Sequence, residues 1–266
     1  MTRADDFLAL HVPGSPLLIP NPWDVGSARV LVGCGFRALA TTSSGFAATL
    51  GRLDGGVSRD EAIGHGAQIA AAVDVPVSAD LENCFADDPE GVAECVRAAV
   101  DAGLAGCSIE DHTRRGDDPI YDFELAADRV RAGVEAADGR LVITARAENY
   151  LHGRADLADT ISRLQAFQEA GAPVLYAPGV TDTGEIRSLV EAVDRPVNVL
   201  ALPTAPPVAE LAKLGVARIS VGGAFLFAAL GALVSAGREL LDEGTYGFWQ
   251  QARVGRTNVD EAFPSS

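Results

Sequence analysis

The sequence is poor in basic residues and contains a single lysine, Lys213. Its 37 aspartates and glutamates outnumber its 21 lysines and arginines, which gives a formal net charge of −16. No basic cluster offsets this charge, so the chain would repel a polyphosphate backbone or an anionic bilayer, and we expect neither nucleic acid nor a membrane as a partner. Lys213 lies in the helical pattern VAELAKLG rather than at a strand end, which argues against Schiff-base chemistry.

Long apolar runs, an export signal and paired cysteines are also lacking. No apolar run approaches the roughly 18 residues that span a bilayer. The N-terminal segment MTRADDFLAL has neither the basic patch nor the apolar stretch of a secretory signal. The four cysteines are not spaced as zinc ligands and are interpreted as thiols, mostly buried. We therefore expect a soluble, cytoplasmic protein.

Eight short β-rich runs recur along the chain and alternate with alanine-rich helical stretches. The runs are PLLIP, ALATTSS, VPVSADLE, AGCSIED, LVITARAE, PVLYAPG, PVNVLAL and ARISVGG. Short apolar strands that are covered on both faces favour a closed (β/α)₈ TIM barrel over an open doubly wound sheet. No G-x-G-x-x-G motif follows the first run, which argues against a dinucleotide-binding sheet. Because no linker or composition shift interrupts the pattern, residues 1–266 are predicted to form a single barrel domain with C-terminal helices.

Three neighbouring predicted strands each end in a pair of charged residues. The pairs are Asp80 with Glu82, Glu110 with Asp111, and Arg146 with Glu148. Strand residues two positions apart face the same way, and active sites of barrels lie at the C-terminal ends of strands. Clustered carboxylates repel one another unless a cation compensates them, and hard oxygen ligands suit Mg²⁺ or Mn²⁺. The pattern predicts a functional acidic cluster, with a structural ion pair between Arg146 and a neighbouring glutamate as the alternative.

The second predicted strand leads into a serine-rich turn. Ser43, Ser44 and Gly45 offer hydroxyl and N–H groups that suit a carboxylate, and Asp54 follows in the same connection. An ordinary serine-glycine turn is the alternative. Asp24, in NPWDVGSAR, is expected to cap a helix.

The four histidines show no mutual spacing that indicates a metal pair. His11 and His65 are expected on helix surfaces. His112 and His152 follow the fourth and fifth predicted strands, so either is a candidate acid or base, with a bystander role as the alternative.

Six motifs, in order, resemble the isocitrate lyase and phosphoenolpyruvate mutase superfamily. They are NPWDVGSA, TTSSG with GRLDG, ADLEN, GCSIED, TARAE and NVLALP, and together they span residues 21–223. The resemblance implies a (β/α)₈ barrel whose eighth helix is exchanged between subunits of a dimer, with dimers paired as tetramers. It also implies a Mg²⁺ site for a 2-oxo acid or its enolate. Such an assembly would cover the apolar helices near the C-terminus.

The resemblance also implies a role for each matching residue. Asp80 corresponds to the direct metal ligand, Glu82 and Glu110 to acids that hold the waters of the metal, and Asp54 to a further metal-side acid. Ser44 and Gly45, beside Ser43, correspond to the site that binds the substrate carboxylate. Arg146 corresponds to the group that meets developing negative charge. Arg146 and Glu110 are therefore catalytic candidates, and His112 joins them because of its position after the fourth strand.

The segment HTRRGDDPIYDF, after the fourth strand, departs from the family pattern. It lacks the lysines and cysteine of the KKCGH loop in isocitrate-cleaving branches and the asparagine of phosphonate-handling branches. This loop is expected to close over the substrate, with His112, Arg114, Arg115 or Tyr121 as contributors.

The prediction is a Mg²⁺-dependent lyase, with Mn²⁺ as an alternative metal, that makes or breaks a C–C bond next to a 2-oxo acid carbon. The substrate is expected to be a small dicarboxylate of the oxaloacetate or substituted malate type. Three alternatives stay open: a C–P bond enzyme such as a phosphonopyruvate hydrolase or phosphoenolpyruvate mutase, a barrel that binds a 2-oxo acid without useful turnover, and, more weakly, a phosphate site at VGGAF.

Overall fold

A computed structural model describes residues 2–263 and places eight parallel strands at the centre of the protein. The strands are β1 Leu17–Ile19, β2 Leu39–Ala40, β3 Val77–Ala79, β4 Gly106–Glu110, β5 Val142–Arg146, β6 Val174–Tyr176, β7 Val197–Leu200 and β8 Arg218–Ser220. They pair in the order β1-β8-β7-β6-β5-β4-β3-β2. Across the remaining seam, the N–H of Ala40 donates to the carbonyl oxygen of Pro20 at 3.1 Å. The result is the predicted (β/α)₈ barrel, with one strand in each β-rich run.

Helices surround this barrel. They are α1 Arg3–Ala9, α2 Val25–Gly33, α3 Ser43–Thr49, α4 Arg59–Ala72, α5 Pro89–Asp101, α6 Phe123–Ala137, α7 Leu157–Glu169, α8 Thr183–Glu191, α9 Val208–Lys213, α10 Ala224–Arg238 and α11 Trp249–Ala262, with a π-helical turn at Glu239–Glu243. Side-chain caps fix many of their first residues. Asp24 caps α2 as predicted, because its carboxylate accepts a hydrogen bond from the N–H of Ser27 at 2.6 Å.

The main core lies between the barrel and its helices, and a smaller one closes the N-terminal end of the barrel. Helix α1 lies under that end, where Phe7 packs with Leu17, Ile19 and Val142. This plug leaves the C-terminal end of the strands as the open mouth. As predicted, the cysteines are free thiols and three of the four are buried.

Helix α10 is poorly covered by the rest of the chain. The exposed fractions of Phe227, Leu233 and Val234 are 53%, 66% and 52%. The helical stretch Ala224–Glu243 is long and apolar enough to cross a membrane by length and composition alone. The expectation that no apolar run approaches this length was therefore wrong, because the glycines and serine within the run interrupt its large side chains but not its mean hydropathy. Helix α11 folds back and packs against α2.

Two local predictions were also wrong. His11 and His65 are buried rather than exposed on helices: Nδ1 of His11 lies 2.9 Å from the carbonyl oxygen of Phe7, and Nε2 of His65 lies 2.9 Å from that of Trp23. The SSG segment starts helix α3 instead of forming a turn, because the Thr42 side chain caps it.

Candidate active site

Two joined cavities open at the C-terminal mouth of the barrel. The outer cavity has a volume of about 410 Å³ and the inner cavity, which reaches into the barrel, about 200 Å³. Both are lined by Ser43, Asp54, Asp80 and Arg146. Those four residues therefore mark the junction at which a single small molecule would contact both spaces.

Asp80 follows β3 and is held in place by hydrogen bonds. Its Oδ2 accepts from the N–H of Ser43 at 2.9 Å, and its Oδ1 accepts from the hydroxyl of Ser108 at 3.2 Å. Ser43 is the first residue of α3, and Ser108 lies within β4. The carboxylate is therefore oriented before any ligand binds.

Glu82 reaches the outer cavity by a different route from the one that strand alternation predicts. Strand β3 ends at Ala79, and Glu82 adopts a φ of +51°, in the left-handed region that non-glycine residues avoid. Asp80 and Glu82 do line the same cavity, as predicted. The reason given for this, the alternation of side chains along a strand, was wrong. Such backbone strain is frequent at functional sites.

Arg146, the last residue of β5, lies among three acidic side chains. Its Nη1 is 2.8 Å from Oε1 of Glu110 and 3.4 Å from Oδ1 of Asp80, and its Nε is 2.6 Å from Oε1 of Glu148. Arg146 therefore does form ion pairs with neighbouring glutamates, which was the structural alternative to a functional role. Its guanidinium nevertheless also lines both cavities. One fixed positive charge faces the junction and serves three carboxylates.

The carboxylates of this acidic cluster are not fully compensated by neighbouring positive charges. Burial raises the pKa of Glu82 to about 7, and the charges of Asp80 and Asp54 add to this effect while Arg114 opposes it. Burial likewise raises the pKa of Glu110 well above its ordinary value, against the attraction of Arg146. An added cation would relieve both carboxylates.

The donor set fits a hydrated divalent ion better than a directly caged one. Within residues 2–263, no group of three or more histidine, cysteine, aspartate or glutamate side chains is placed to hold an ion directly. Mg²⁺ is commonly held by one or two carboxylates and keeps several waters. Asp80 at the junction, with Glu82 and Glu110 along the outer cavity, provides oxygen ligands for such an ion and its waters.

The loop 112–120 covers the outer cavity. An antiparallel bridge between His112 and Ile120 closes it into a hairpin. Arg114 fixes it to the opposite wall, because its Nη1 lies 3.4 Å from Oε2 of Glu82 and its Nη2 donates to the carbonyl oxygen of Gly55. The loop is therefore seen in a closed position, as expected for a segment that shields a substrate from water.

The side chains of His112 and His152 contact each other beneath the loop 112–120. Their rings stack with centroids 3.8 Å apart and an interplanar angle of 14°, and Nε2 of His152 is 3.9 Å from Oε2 of Glu148. Burial, together with electrostatic interactions with His152, Arg114 and Arg146, lowers the pKa of His112 to about 4. At neutral pH His112 is an uncharged imidazole that faces the cavity.

The predicted carboxylate-binding residues are only partly exposed to the cavities. Ser43, Ser44 and Asp54 line the inner cavity, whereas Gly45 is buried and its N–H donates to the hydroxyl of Thr42 at 3.3 Å. The backbone of VGGAF is also engaged, because the N–H groups at positions 221 and 222 both donate to Oδ1 of Asn21, at 3.0 and 2.9 Å. These bonds leave the two N–H groups unavailable to a phosphate.

Two buried side chains outside the barrel support the acidic strand ends. Arg129, on α6, donates to the carbonyl oxygens of Glu110, Asn83 and Ala86 at 2.8, 2.6 and 2.9 Å. Asp111 accepts from the N–H of Glu148 at 2.8 Å and does not line either cavity. The loops after β3, β4 and β5 are thus tied together from behind.

Sequence reasoning missed several residues that the cavities bring together. Glu148 was noted only as a strand end, although its side chain lines the outer cavity. Tyr176 and Arg218 line the inner cavity and drew no attention. The one indication in the sequence that Arg218 has a special role is its place inside the otherwise apolar run ARISVGG.

Fold and site together define a (β/α)₈-barrel enzyme with an acidic, arginine-containing pocket at the C-terminal mouth. The sequence matches the Phosphoenolpyruvate phosphomutase family over residues 7–241. The chain belongs to this family, within the isocitrate lyase and phosphoenolpyruvate mutase superfamily, as the motifs predicted.

Known proteins resemble the chain along most of its length. A crystal structure from Burkholderia cenocepacia J2315, assigned only provisionally as a lyase or mutase, shares 49% identity, with 99% of this chain and 96% of that one covered and a TM-score of 0.94. The 2-methylisocitrate lyase of Escherichia coli K12 is 30% identical over 209 residues, which cover 71% of this chain and 70% of the lyase. A crystal structure of 2,3-dimethylmalate lyase is 27% identical, covers 93% of this chain and 90% of its own, and has a TM-score of 0.83.

Proposed function

We propose that the protein is a divalent-metal-dependent lyase that cleaves or forms a C–C bond next to the 2-oxo carbon of a small dicarboxylate. The observation that carries this proposal is the position of Arg146, which lies at the junction of the two cavities together with the charge-deficient acidic cluster. Two of the similar proteins are named for cleaving substituted dicarboxylic or tricarboxylic acids, 2-methylisocitrate and 2,3-dimethylmalate. An oxaloacetate or substituted malate is the substrate type that fits both the chemistry and the site.

Asp80 would hold the metal directly, and Glu82 and Glu110 would hold its waters. Mg²⁺ is the preferred ion, with Mn²⁺ as an alternative, because all three donors are hard oxygen ligands. When bound, the ion would supply Lewis-acid stabilisation of negative charge on a substrate oxygen.

Arg146 and the junction residues act on the substrate itself. The guanidinium presents a fixed positive charge where a substrate oxygen gains negative charge as the C–C bond breaks. Ser43 and Ser44 supply hydroxyl groups to a carboxylate at the inner side of the junction, and Asp54 contributes a further acidic side chain at the mouth. Glu110 keeps Arg146 oriented through their 2.8 Å contact.

His112 is the candidate for proton transfer. With a malate-type substrate, a base must remove the proton from the 2-hydroxyl while the C2–C3 bond breaks and its electrons pass to C3, which then needs a proton. His112 is neutral at pH 7 because its pKa is lowered to about 4. In the neutral form its unprotonated ring nitrogen can accept the hydroxyl proton, and the imidazolium that results can return this proton to C3.

A second copy of the chain would cover helix α10. Its exposed Phe227, Leu233 and Val234 form an apolar face larger than a solvated helix requires, and the family resemblance implies helix exchange within a dimer. We accordingly propose a homo-oligomeric enzyme that acts in the cytoplasm on a small acid.

The test is a substrate screen with the full chain in the presence of Mg²⁺. Oxaloacetate, 2-methylisocitrate, 2,3-dimethylmalate and phosphonopyruvate are each incubated with the wild-type protein and with Arg146→Met, and products are followed by proton and phosphorus NMR. We expect C–C cleavage of at least one carboxylic acid and loss of that activity in the variant. Consumption of phosphonopyruvate alone would indicate a C–P bond enzyme, and metal-dependent binding of oxalate without turnover would indicate a binding barrel. Either result contradicts the proposal.

A further inference from the structure

Arg218 is a buried cation without a protein counter-ion. It is the first residue of β8, its exposed fraction is 5%, and it lines the inner cavity. Its Nη1 donates to the hydroxyl of Thr144 at 3.0 Å, and its Nε has no hydrogen-bond partner. Among the described residues 2–263 no carboxylate lies within ion-pairing distance of it, in contrast to Arg146, which lines the same cavity. A buried charge in this state is costly unless something pairs with it.

The wall around Arg218 is built for a polar ligand. Barrel interiors are normally filled by layers of branched apolar side chains. Here the layer below the acidic cluster instead carries hydroxyl groups, from Ser78, Ser108, Thr144 and Ser220, around about 200 Å³ of space. Asn198 shares in this layer, since its Nδ2 donates to the hydroxyl of Ser220 at 3.0 Å.

Arg218 also differs from the other charged residues of the inner cavity. Asp54, Asp80 and Arg146 are shared with the outer cavity, whereas Arg218 is the one charged residue, of those described, that lines the inner cavity alone. Asp80 and Arg146 lie within 3.4 Å of each other and are partly satisfied by that contact. The inner end of the pocket therefore presents an unmatched positive charge to whatever enters it.

From these observations we infer that Arg218 binds a carboxylate of the substrate at the inner end of the pocket and so determines that the substrate is a carboxylic acid rather than a neutral analogue. The inference rests on the proposed function for the nature of the ligand. One carboxylate occupies the hydroxyl-lined inner cavity, the reacting carbons lie at the junction beside Asp80 and Arg146, and the remainder of the acid extends into the outer cavity under the loop 112–120. A planar guanidinium suits this task because it can donate two parallel hydrogen bonds to one carboxylate.

The test is a binding cycle that needs no turnover. Dissociation constants for pyruvate and for pyruvamide, which differ only in the carboxylate, are measured by calorimetry with Mg²⁺ present for the wild-type chain, for Arg218→Met and for Arg218→Gln. A charge-assisted hydrogen bond contributes about a 10- to 100-fold preference, so both variants are expected to show a preference for pyruvate that is smaller by that factor than the wild-type preference. Arg187→Met, at an exposed arginine of α8, is the matched control and is expected to keep the wild-type preference.

Three results would overturn the inference. They are an unchanged preference in the Arg218 variants, an equal loss of affinity for both ligands, as a merely structural arginine would cause, and a wild-type protein that binds neither ligand at millimolar concentration. If the neutral variants do not fold, Arg218→Lys, which keeps the charge, is measured in their place. A crystal structure of the wild-type chain with pyruvate then decides the question. A carboxylate oxygen within about 3.2 Å of the Arg218 guanidinium supports the inference, and a carboxylate placed elsewhere refutes it. The binding cycle measures no turnover, so its outcome is independent of the substrate screen. A failed screen would contradict the proposed function but not the role of Arg218, and the binding cycle can contradict that role even when the screen succeeds.

Discussion

The imidazole rings of His112 and His152 stack face to face, with centroids 3.8 Å apart, beneath the loop 112–120. Only His112 belongs to that loop, while His152 is anchored behind it near Glu148. The stacking fixes the ring of His112 in the closed loop. A group that must receive and return a proton at one atom needs such fixed geometry.

Replacement of His112 by glutamine tests its role in proton transfer. We expect kcat to fall by about 100- to 10,000-fold, since that is the usual contribution of a positioned acid or base, while KM changes little. Steady-state kinetics on the substrate found in the screen provides the measurement. His152→Gln is the matched variant and is expected to cost much less, because His152 only supports its neighbour. Equal losses in the two variants would assign both rings the same role.

Asp80→Asn tests the proposed metal ligand. The substitution keeps the hydrogen-bond acceptor for Ser43 but removes the negative charge, so Mg²⁺ affinity measured by calorimetry in the presence of oxalate should fall at least about 10-fold. Asp74→Asn provides the control, since Asp74 is exposed and precedes the opposite end of the same strand. Unchanged Mg²⁺ binding in Asp80→Asn would remove Asp80 from the site.

Arg114→Gln is predicted to open the loop 112–120. The substitution removes the contact to Glu82 and the hydrogen bond to Gly55, so amide hydrogens in the loop should exchange faster than in the wild-type chain, as measured by mass spectrometry. Arg115→Gln breaks an exposed pair with Asp87 and a 5.9 Å contact of the guanidinium with the Tyr121 ring, neither of which reaches the opposite wall, and it should leave exchange almost unchanged. Equal exchange in the wild type and in Arg114→Gln would show that other contacts hold the loop.

His11 is predicted to make the protein acid-sensitive. Burial, together with the charge of Arg218, lowers the pKa of His11 to about 3. In the unfolded chain the imidazole titrates near its ordinary pKa of about 6.5, so between these values the unfolded state binds a proton that the folded state does not. Stability from the neutral ring is therefore complete above pH 6.5 and is lost as the pH falls toward 3.

Urea denaturation of the wild type and of His11→Gln at pH 7.5 and 5 measures this effect. The free energy of unfolding of the wild type should drop by about 2 kcal/mol more than that of the variant, because about 1.5 pH units separate pH 5 from the ordinary histidine pKa. Parallel losses in the two proteins would place the acid sensitivity elsewhere.

Leu233→Asp tests the proposed contact between two copies through α10. Leu233 is 66% exposed in the single chain, and a buried, unpaired carboxylate in an interface is strongly unfavourable. We expect light scattering to show an oligomer for the wild type and a monomer for the variant. Leu53→Asp, at another exposed leucine, should not change the molar mass. A wild-type monomer would contradict the proposed assembly.

The barrel was predictable from sequence because its pattern is local. Each β-rich run is short, apolar and followed by helical periodicity, and eight such units admit few arrangements. The same regularity placed Asp80, Glu110 and Arg146 at one mouth. Their distances to one another were not predictable, because they depend on side-chain directions and on the register between strands.

The failures have physical causes that a pattern of residue types does not contain. Glu82 enters the cavity through a left-handed turn, and nothing in ADLEN indicates where β3 stops. His11 was expected on a helix surface, yet it lies buried beside Phe7. The arginine in ARISVGG is visible in the sequence, but the absence of a carboxylate partner for Arg218 becomes apparent only once the whole inner cavity is assembled.

Arg129 gives helix α6 control over the spacing of the acidic strand ends. Its guanidinium joins the loop that carries Glu82 to the end of the strand that carries Glu110. A displacement of α6 would therefore be transmitted through Arg129 to the gap between those two carboxylates. The acidic pocket is thus braced from outside the barrel by a residue that lines neither of its cavities.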